Sequence, residues 1–285
     1  MKTFKGELYL FTTALIWGFA IFVQTTIADQ IGSFTFNGIR YLVGAVSLLP
    51  LLKFKRSNIN NRKCIILGIC LGFCLYMACN LQQIAMIYSS SVAKVGFITS
   101  LYIVLVPLLS YFIFKTKTSP IIIVAIVIAV IGLYMLCGAS LTFELADILL
   151  ISCAFFYAMQ MVLIGGLAKD VNSVQLSFVQ YVASGVMSLI TAVFFEDIQM
   201  ASIVSCTGAI LYIGIMSTGV AYTLQIMGQR YTSPAVASVI LSFEAGVSAL
   251  AGWIFLNQTL STNEAIGCAL MALAVILAQV RIKEK

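Results

Sequence analysis

Ten stretches of about twenty residues follow one another along this chain with almost no charge inside them. They cover approximately 7–27, 33–53, 64–86, 91–113, 119–138, 145–165, 173–194, 207–228, 233–255 and 262–281. A helix that crosses a bilayer needs roughly 20 apolar residues. Barrel strands would be about half as long and would alternate in polarity, which these runs do not. The expected fold class is therefore an all-α integral membrane protein with ten transmembrane helices. Composition agrees. The chain is 61% hydrophobic and 9% charged, against about 45–50% and about 25% in soluble domains. So little charge cannot cover a water-facing surface. The lipid bilayer is the first partner, and an appended soluble domain and a nucleic-acid partner are excluded.

Histidine is absent, which removes His-based zinc sites, Ser-His-Asp triads and His proton relays. The eight cysteines contain no C-x-x-C pair and most fall inside apolar runs; they read as small core- or lipid-facing residues rather than disulfides or ligands. Cys70 and Cys74 share a helix face, but two thiols do not make a metal site. No H-E-x-x-H, G-x-S-x-G or Walker sequence occurs. Neither a cofactor nor a metal nor an enzymatic activity is expected, and no ATP-driven pump is encoded here.

The basic residues set orientation. With the N-terminus in the cytoplasm, alternating spans place 14 of the 16 Lys and Arg on inner segments, among them Lys5, Lys55, Lys63, Lys115, Lys169, Arg230 and Lys283. The outer loops then hold only acids: Asp29, Glu144, Asp147, Glu196, Asp197 and Glu264. This is the positive-inside pattern, and it puts both termini in the cytoplasm of a multi-pass cell-membrane protein. The first run resembles a signal peptide, but its length and its Trp17 and Gln24 mark a retained span.

A shift of 140 residues sets Trp17 on Tyr157, Arg40 on Gln180 and Tyr41 on Tyr181; a shift of 143 sets Leu81-Gln82 on Leu224-Gln225. Two repeats of five spans result, 1–140 and 141–285. An odd number of spans inverts the second copy, an architecture that recurs in transporters with a site between the repeats.

Three charges lie within spans: Arg40, Lys94 and Glu244. At about 1.5 Å per residue Glu244 stands about 16 Å deep, near the middle of a ~30 Å core, where a charge costs about 2.5–3.5 kcal/mol. Either it couples transport to a proton or binds a substrate amine, or it bonds helices. Arg40, about 9 Å deep, cannot shed its charge; it holds a carboxylate bidentately, snorkels outward or ties helices together. Lys94, about 5 Å deep, snorkels or faces a cavity. Polar side chains recur at helical spacing: Tyr76, Asn80 and Gln83 on the third span, Tyr222, Gln225 and Gln229 on the eighth. Trp17 with Gln24, Tyr157 with Gln160, Thr99, Ser100 and Tyr102, and Gln180 complete a candidate cavity, with helix–helix bonding as the alternative for each amide. Gly68 and Gly72 form G-x-x-x-G, a close-packing signal. Pro107 inside the fourth span predicts a bend.

The order of these features resembles the EamA-type branch of the drug/metabolite transporter superfamily. The similarity rests on A-L-I-W-G-F (Ala14 to Phe19), F-x-x-x-R-Y (Phe36 to Tyr41), A-K-V-G-F-I-T-S-L-Y-I-V-L-V-P (Ala93 to Pro107), G-x-x-S-T-G-V-A-Y (Gly214 to Tyr222) and Y-T-S-P-A-V-A-S-V-I-L-S-F-E (Tyr231 to Glu244). It implies ten helices around a central cavity and transport, often export, of amino acids or related metabolites. Where that family often has proline after the glutamate, this chain has Ala245, so no proline kink is expected there. The function expected is secondary transport, by export, of a small-molecule substrate through alternating access, with the two inverted halves rocking against each other. A lipid or lipid-linked-sugar flippase and a multidrug exporter are the alternatives; a groove open to lipid beside the site is what would favour a flippase. Arg40, Lys94 and Glu244 sum to +1, which suits a zwitterion or monoanion over a cation. Substrate identity, coupling and oligomeric state are not legible from the residues.

Overall fold

A computed structural model describes residues 2–54, 62–89, 92–136, 144–256 and 261–279. Lys55, Arg56, Cys137, Arg281, Lys283 and Lys285 lie outside the described residues. The described chain is helical throughout: α1 (Lys2–Thr26), α2 (Ser33–Ser47, followed by Leu49–Phe54), α3 (Arg62–Tyr88), α4a (Val92–Thr99), α4b (Tyr102–Phe114), α5 (Pro120–Leu136), α6 (Leu145–Leu167), α7 (Ser173–Phe195), the short Met200–Ser205, α8 (Thr207–Gln229), α9a (Pro234–Leu241), α9b (Glu244–Leu256) and α10 (Thr262–Gln279). Among the described residues eight stretches are long and apolar enough to cross a membrane, α4a–α4b and α9a–α9b each counting as one. The helices in α5 and α10 are equally apolar but shorter.

The bundle sorts its charges to two ends. Lys63 pairs with Asp170 at 3.8 Å, the Arg230 guanidinium donates to the Val171 carbonyl, and Gly6 of α1 packs on Gly228 and Tyr231; these define a basic end. At the other end Glu196 caps α2, accepting from Phe34 N and Thr35 N at 2.8 Å each. Beside it Asp29 and Asp197 line one pocket, and Lys94 is bound to Glu144 and Asp147.

Helix pairing does not follow chain halves. The most extensive interfaces join α5 to α10, α3 to α6, α2 to α7 and α3 to α7, each linking an early helix to a late one. Contacts within either half are sparse. Any movement of one half against the other must therefore break and remake these interfaces. The close-packing glycines belong to one of these interfaces: a Cβ on Gly72 would stand 2.6 Å from Ala183 Cβ and 2.8 Å from the Gln180 carbonyl of α7.

Three helices are irregular. The fourth span breaks at Ser100–Leu101, nearly two turns before Pro107, which sits inside α4b. The α-helical ladder is thus interrupted ahead of the proline rather than at it. The ninth span breaks at Ser242–Phe243 without any proline. Here Ser238 and Ser242 hydroxyls donate back to the Ala235 and Val239 carbonyls, 2.8 Å each, competing with the helical ladder. The two breaks touch: Ser100 Oγ reaches the Ser242 carbonyl at 3.5 Å. The third irregularity is a π-helical stretch in α8, Ile213–Tyr222. With no water in hydrocarbon, its altered ladder is supported by α1 side chains: Thr13 Oγ1 donates to Ala221 O at 3.1 Å and Trp17 Nε1 to Ser217 O at 3.3 Å.

Candidate functional site

The two helix breaks and the π-helical stretch meet around one buried cavity in the middle of the bundle. Its walls include Trp17, Ala20, Ile21 and Gln24 of α1, Arg40 of α2, Gln82 of α3, Thr99 and Tyr102 at the first break, Tyr157 and Met161 of α6, Ser217 and Tyr222 of α8, and Glu244 at the second break. The cavity is small, about 20 Å3, with room for one or two water molecules.

Both in-span charges of opposite sign face this space. Glu244 is 4% exposed and begins α9b; its Oε1 accepts from Tyr102 Oη at 2.9 Å, so the residues that follow the two breaks are bonded to each other. Helix α1 crosses here closely, for a Cβ on Gly18 would stand 2.6 Å from the Glu244 carbonyl. Arg40 is 2% exposed. Its Nε donates to Asn37 Oδ1 at 2.6 Å, and its guanidinium carbon lies 4.7 Å from the Tyr41 ring centroid and 5.6 Å from that of Phe36. Among the described residues no carboxylate lies within ion-pair distance of Arg40. A buried guanidinium that lines the cavity with its Nε occupied has Nη donors of the kind that suit a planar anion.

A hydroxyl and thiol network lines the remaining wall. Cys79 Sγ lies 2.7 Å from Tyr41 Oη, 3.0 Å from Tyr157 Oη and 3.4 Å from Tyr222 Oη. Tyr222 Oη donates to Tyr157 Oη (3.3 Å), Tyr157 Oη to Gln82 Oε1 (3.3 Å), and Gln82 Nε2 to Thr99 Oγ1 (3.1 Å). The Trp17 and Tyr222 rings stand 4.6 Å apart. The site thus combines one cation, one anion, a belt of hydroxyls and flat aromatic faces.

Of the candidate residues, Trp17, Gln24, Arg40, Thr99, Tyr102, Tyr157, Tyr222 and Glu244 come together here. The others do not. The third-span stripe faces α7 instead: Tyr76 Oη meets Thr191 Oγ1 at 2.8 Å, and Asn80 Nδ2 donates to Ser188 Oγ at 2.9 Å. Asn80 Oδ1 also accepts from Asn37 Nδ2 at 3.0 Å, so it supports Arg40 at one remove. Gln83 Nε2 reaches the Gln24 carbonyl at 3.5 Å. Gln160 and Gln225 bond each other (3.4 and 3.1 Å) below the cavity. Gln180 is fully buried where α7 crosses α3. Lys94 is at the acidic end, 3.0 Å from Asp147 and 3.3 Å from Glu144, in the spirit of the snorkelling alternative. With Lys94 gone from the site, the formal charge facing the cavity is zero rather than +1.

Gln82, Met161, Ser217 and Asn37 were not singled out beforehand. Gln82 carried a signal, since it heads the Leu81-Gln82 and Leu224-Gln225 correspondence. Reading the polar stripe of α3 as the cavity face selected its neighbour Gln83. Gln82 is the α3 residue that lines the cavity, and Cys79, at i−3 on the same face, bonds the tyrosine hydroxyls around it.

Comparison with known proteins shows which chains this one is similar to. The pattern of the EamA-like transporter family matches twice, over residues 4–138 and 144–279. An uncharacterized transporter of Archaeoglobus fulgidus is 30% identical over 99% of this chain and 88% of its own length. The uncharacterized transporter YoaV of Bacillus subtilis is 19% identical over 96% of both. One solved crystal structure superposes with a TM-score of 0.81 over 96% of each chain at 17% identity, a likeness of fold alone.

Proposed function

This chain belongs to the EamA-like transporter family of the drug/metabolite transporter superfamily, and from that premise we propose that it is a secondary transporter exporting amino acids, larger neutral ones above all. The observation that carries this reading is the shared cavity of Arg40 and Glu244. With no net charge between them, an amino acid suits both ends of the site: carboxylate on the Arg40 fork, ammonium toward Glu244. The faces of Trp17, Tyr157 and Tyr222 suit an apolar or aromatic side chain. A site with room for only one or two waters is a closed state, through which an alternating-access carrier passes between its open ones. In this reading residues 1–140 and 141–285 are inverted five-helix repeats, ten spans in all, with the basic end and both termini in the cytoplasm. Glu244, bonded to Tyr102 across the crossing of the two broken helices, is the coupling group, with a proton as the coupling ion.

Reconstitution into sealed vesicles tests this directly. Efflux of a large neutral amino acid should be competed by its analogues and not by quaternary ammonium dyes. Robust dye transport that no amino acid inhibits overturns the assignment.

One observation supports a second reading, a flippase. An apolar groove of about 360 Å3 opens between α1 and α10, lined by Phe4, Glu7, Leu8, Phe11, Phe243, Ala272, Val275 and Ile276. The stacked pair Phe11–Phe243 (5.7 Å) belongs to it, and Phe243 adjoins Glu244. Movement of a fluorescent lipid between leaflets, with no amino-acid flux, would select that reading.

A further inference from the structure

Glutamine contacts bracket the cavity along the membrane normal. Toward the basic end, Gln160 of α6 and Gln225 of α8 form a reciprocal amide pair, each side chain donating to the other at 3.4 and 3.1 Å. Both are 0% exposed. One residue further along α6, the Met161 carbonyl accepts from Gln229 Nε2 at 3.1 Å. Toward the acidic end a single longer bond joins Gln83 of α3 to the Gln24 carbonyl of α1, at 3.5 Å.

These bonds cross a seam. Helix α6 packs chiefly on α3 and α4, and α8 on α1 and α2. Little backbone contact joins α6 to α8 or α1 to α3. The pair α3–α6 therefore forms one wall of the cavity and α1–α8 the wall opposite. The amides are polar bridges between the walls, above and below the site.

An amide pair is suited to closing such a seam reversibly. Sealed in an apolar interior, each amide needs the other, because an unpaired polar group there is costly. Once the seam opens to water, both are solvated and the bonds are replaced at little cost. Opposed leucines would instead expose apolar surface on every opening. We infer that Gln160 and Gln225, with Gln229, are the gating residues of the basic end and act on access rather than on the substrate, with Gln83 and Gln24 as their weaker counterpart at the acidic end. The double, shorter tie holds the basic end closed more firmly than the acidic end.

Gating of this kind presupposes alternating access but no particular substrate. The test is accordingly substrate-free. Ala20, a cavity-wall residue, is replaced by cysteine as a reporter. Its modification by a membrane-impermeant maleimide is followed by peptide mass in vesicles of both orientations. Gln160→Ala with Gln225→Ala, which removes both bonds without opposing two large apolar side chains, should raise modification from the basic face roughly five- to tenfold relative to the acidic face, the population shift that two interhelical bonds carry. Gln83→Ala should shift the ratio the other way by a smaller factor. If the double variant does not reach the membrane, the volume-conserving Gln225→Met carries the test with the same sign. A face-to-face ratio unchanged within about twofold, or a rise from both faces together, overturns the inference. The competition assay fails separately if only the substrate is wrong.

Discussion

Arg40 and Gln180 stand 140 residues apart, at corresponding places in the two segments that match the same family pattern, and they do different work. Arg40 is held by Asn37 and faces the cavity. Gln180 is sealed at the crossing of α7 and α3. A second contrast runs the other way: Tyr102 and Glu244, 142 residues apart, each open the helix after a break and bond each other across the cavity. The first segment thus supplies the cation and the second the anion. A third contrast is in the backbone, since α3 is α-helical throughout while α8 carries the π-helical stretch. Related scaffolds meeting at one centre allow a dipolar site that neither segment could form from its own residues.

Substitutions at corresponding positions should break this comparison unequally. The largest effect is expected at residue 40. Arg40→Ala should lower amino-acid transport by roughly 10- to 100-fold, the range for hydrogen bonds to a charged group. Arg40→Lys, which keeps the charge but loses the fork, should recover only part of it. Gln180→Met should leave transport within about threefold. Equal losses at 40 and 180, measured as initial rates at matched expression, would mean the asymmetry is not functional.

Next comes the anion. Glu244→Gln holds the group neutral while conserving its shape and a bond to Tyr102. Transport driven by a pH gradient should then vanish, whereas substrate exchange at equal pH persists. Tyr102→Phe, which leaves the carboxylate in place, should reduce rates only about fivefold and retain the pH dependence. Proteoliposomes with an imposed gradient distinguish the two, and pH dependence surviving in Glu244→Gln would return this residue to helix packing.

The smallest effect belongs to the backbone contrast. Thr13→Val removes a hydroxyl shared between the Tyr9 carbonyl of its own helix, at 2.9 Å, and Ala221 of the π-helical stretch, at 3.1 Å. It should cost about 1 kcal/mol of stability, read as a shift in the detergent melting curve. Thr12→Val, whose hydroxyl serves only its own helix, should cost less. Melting curves that rank the two in the opposite order would remove the support assigned to Thr13.

Much of the architecture was legible because a bilayer permits few solutions. Long uncharged runs must be helices there, and the sorting of Lys63 and Arg230 from Glu144 and Glu196 into two ends repeats a pattern visible along the chain. Arg40 and Glu244 stood out for the same reason: a charge deep in hydrocarbon is too costly to be incidental. Less could be read about direction. Tyr76, Asn80 and Gln83 do share a helix face, yet periodicity says nothing about which neighbour that face meets, and it meets α7. Lys94 looked like a cavity charge until the chain brought Glu144 and Asp147, some fifty residues later, within reach.

The sequence by itself determined that the chain lives in a membrane, where its helices run and which charges are too deep to ignore, because hydrophobic transfer energies act locally and add along the chain. Only the tertiary structure decided that the halves interlock, that the helix breaks at residues 100 and 242 touch, that Gln82 rather than Gln83 lines the site, and that Gln160 closes on Gln225. Those outcomes depend on pairings between residues 65 to 142 positions apart. Packing and hydrogen-bond satisfaction choose among such pairings, and neither leaves a periodic mark in a single stretch of chain.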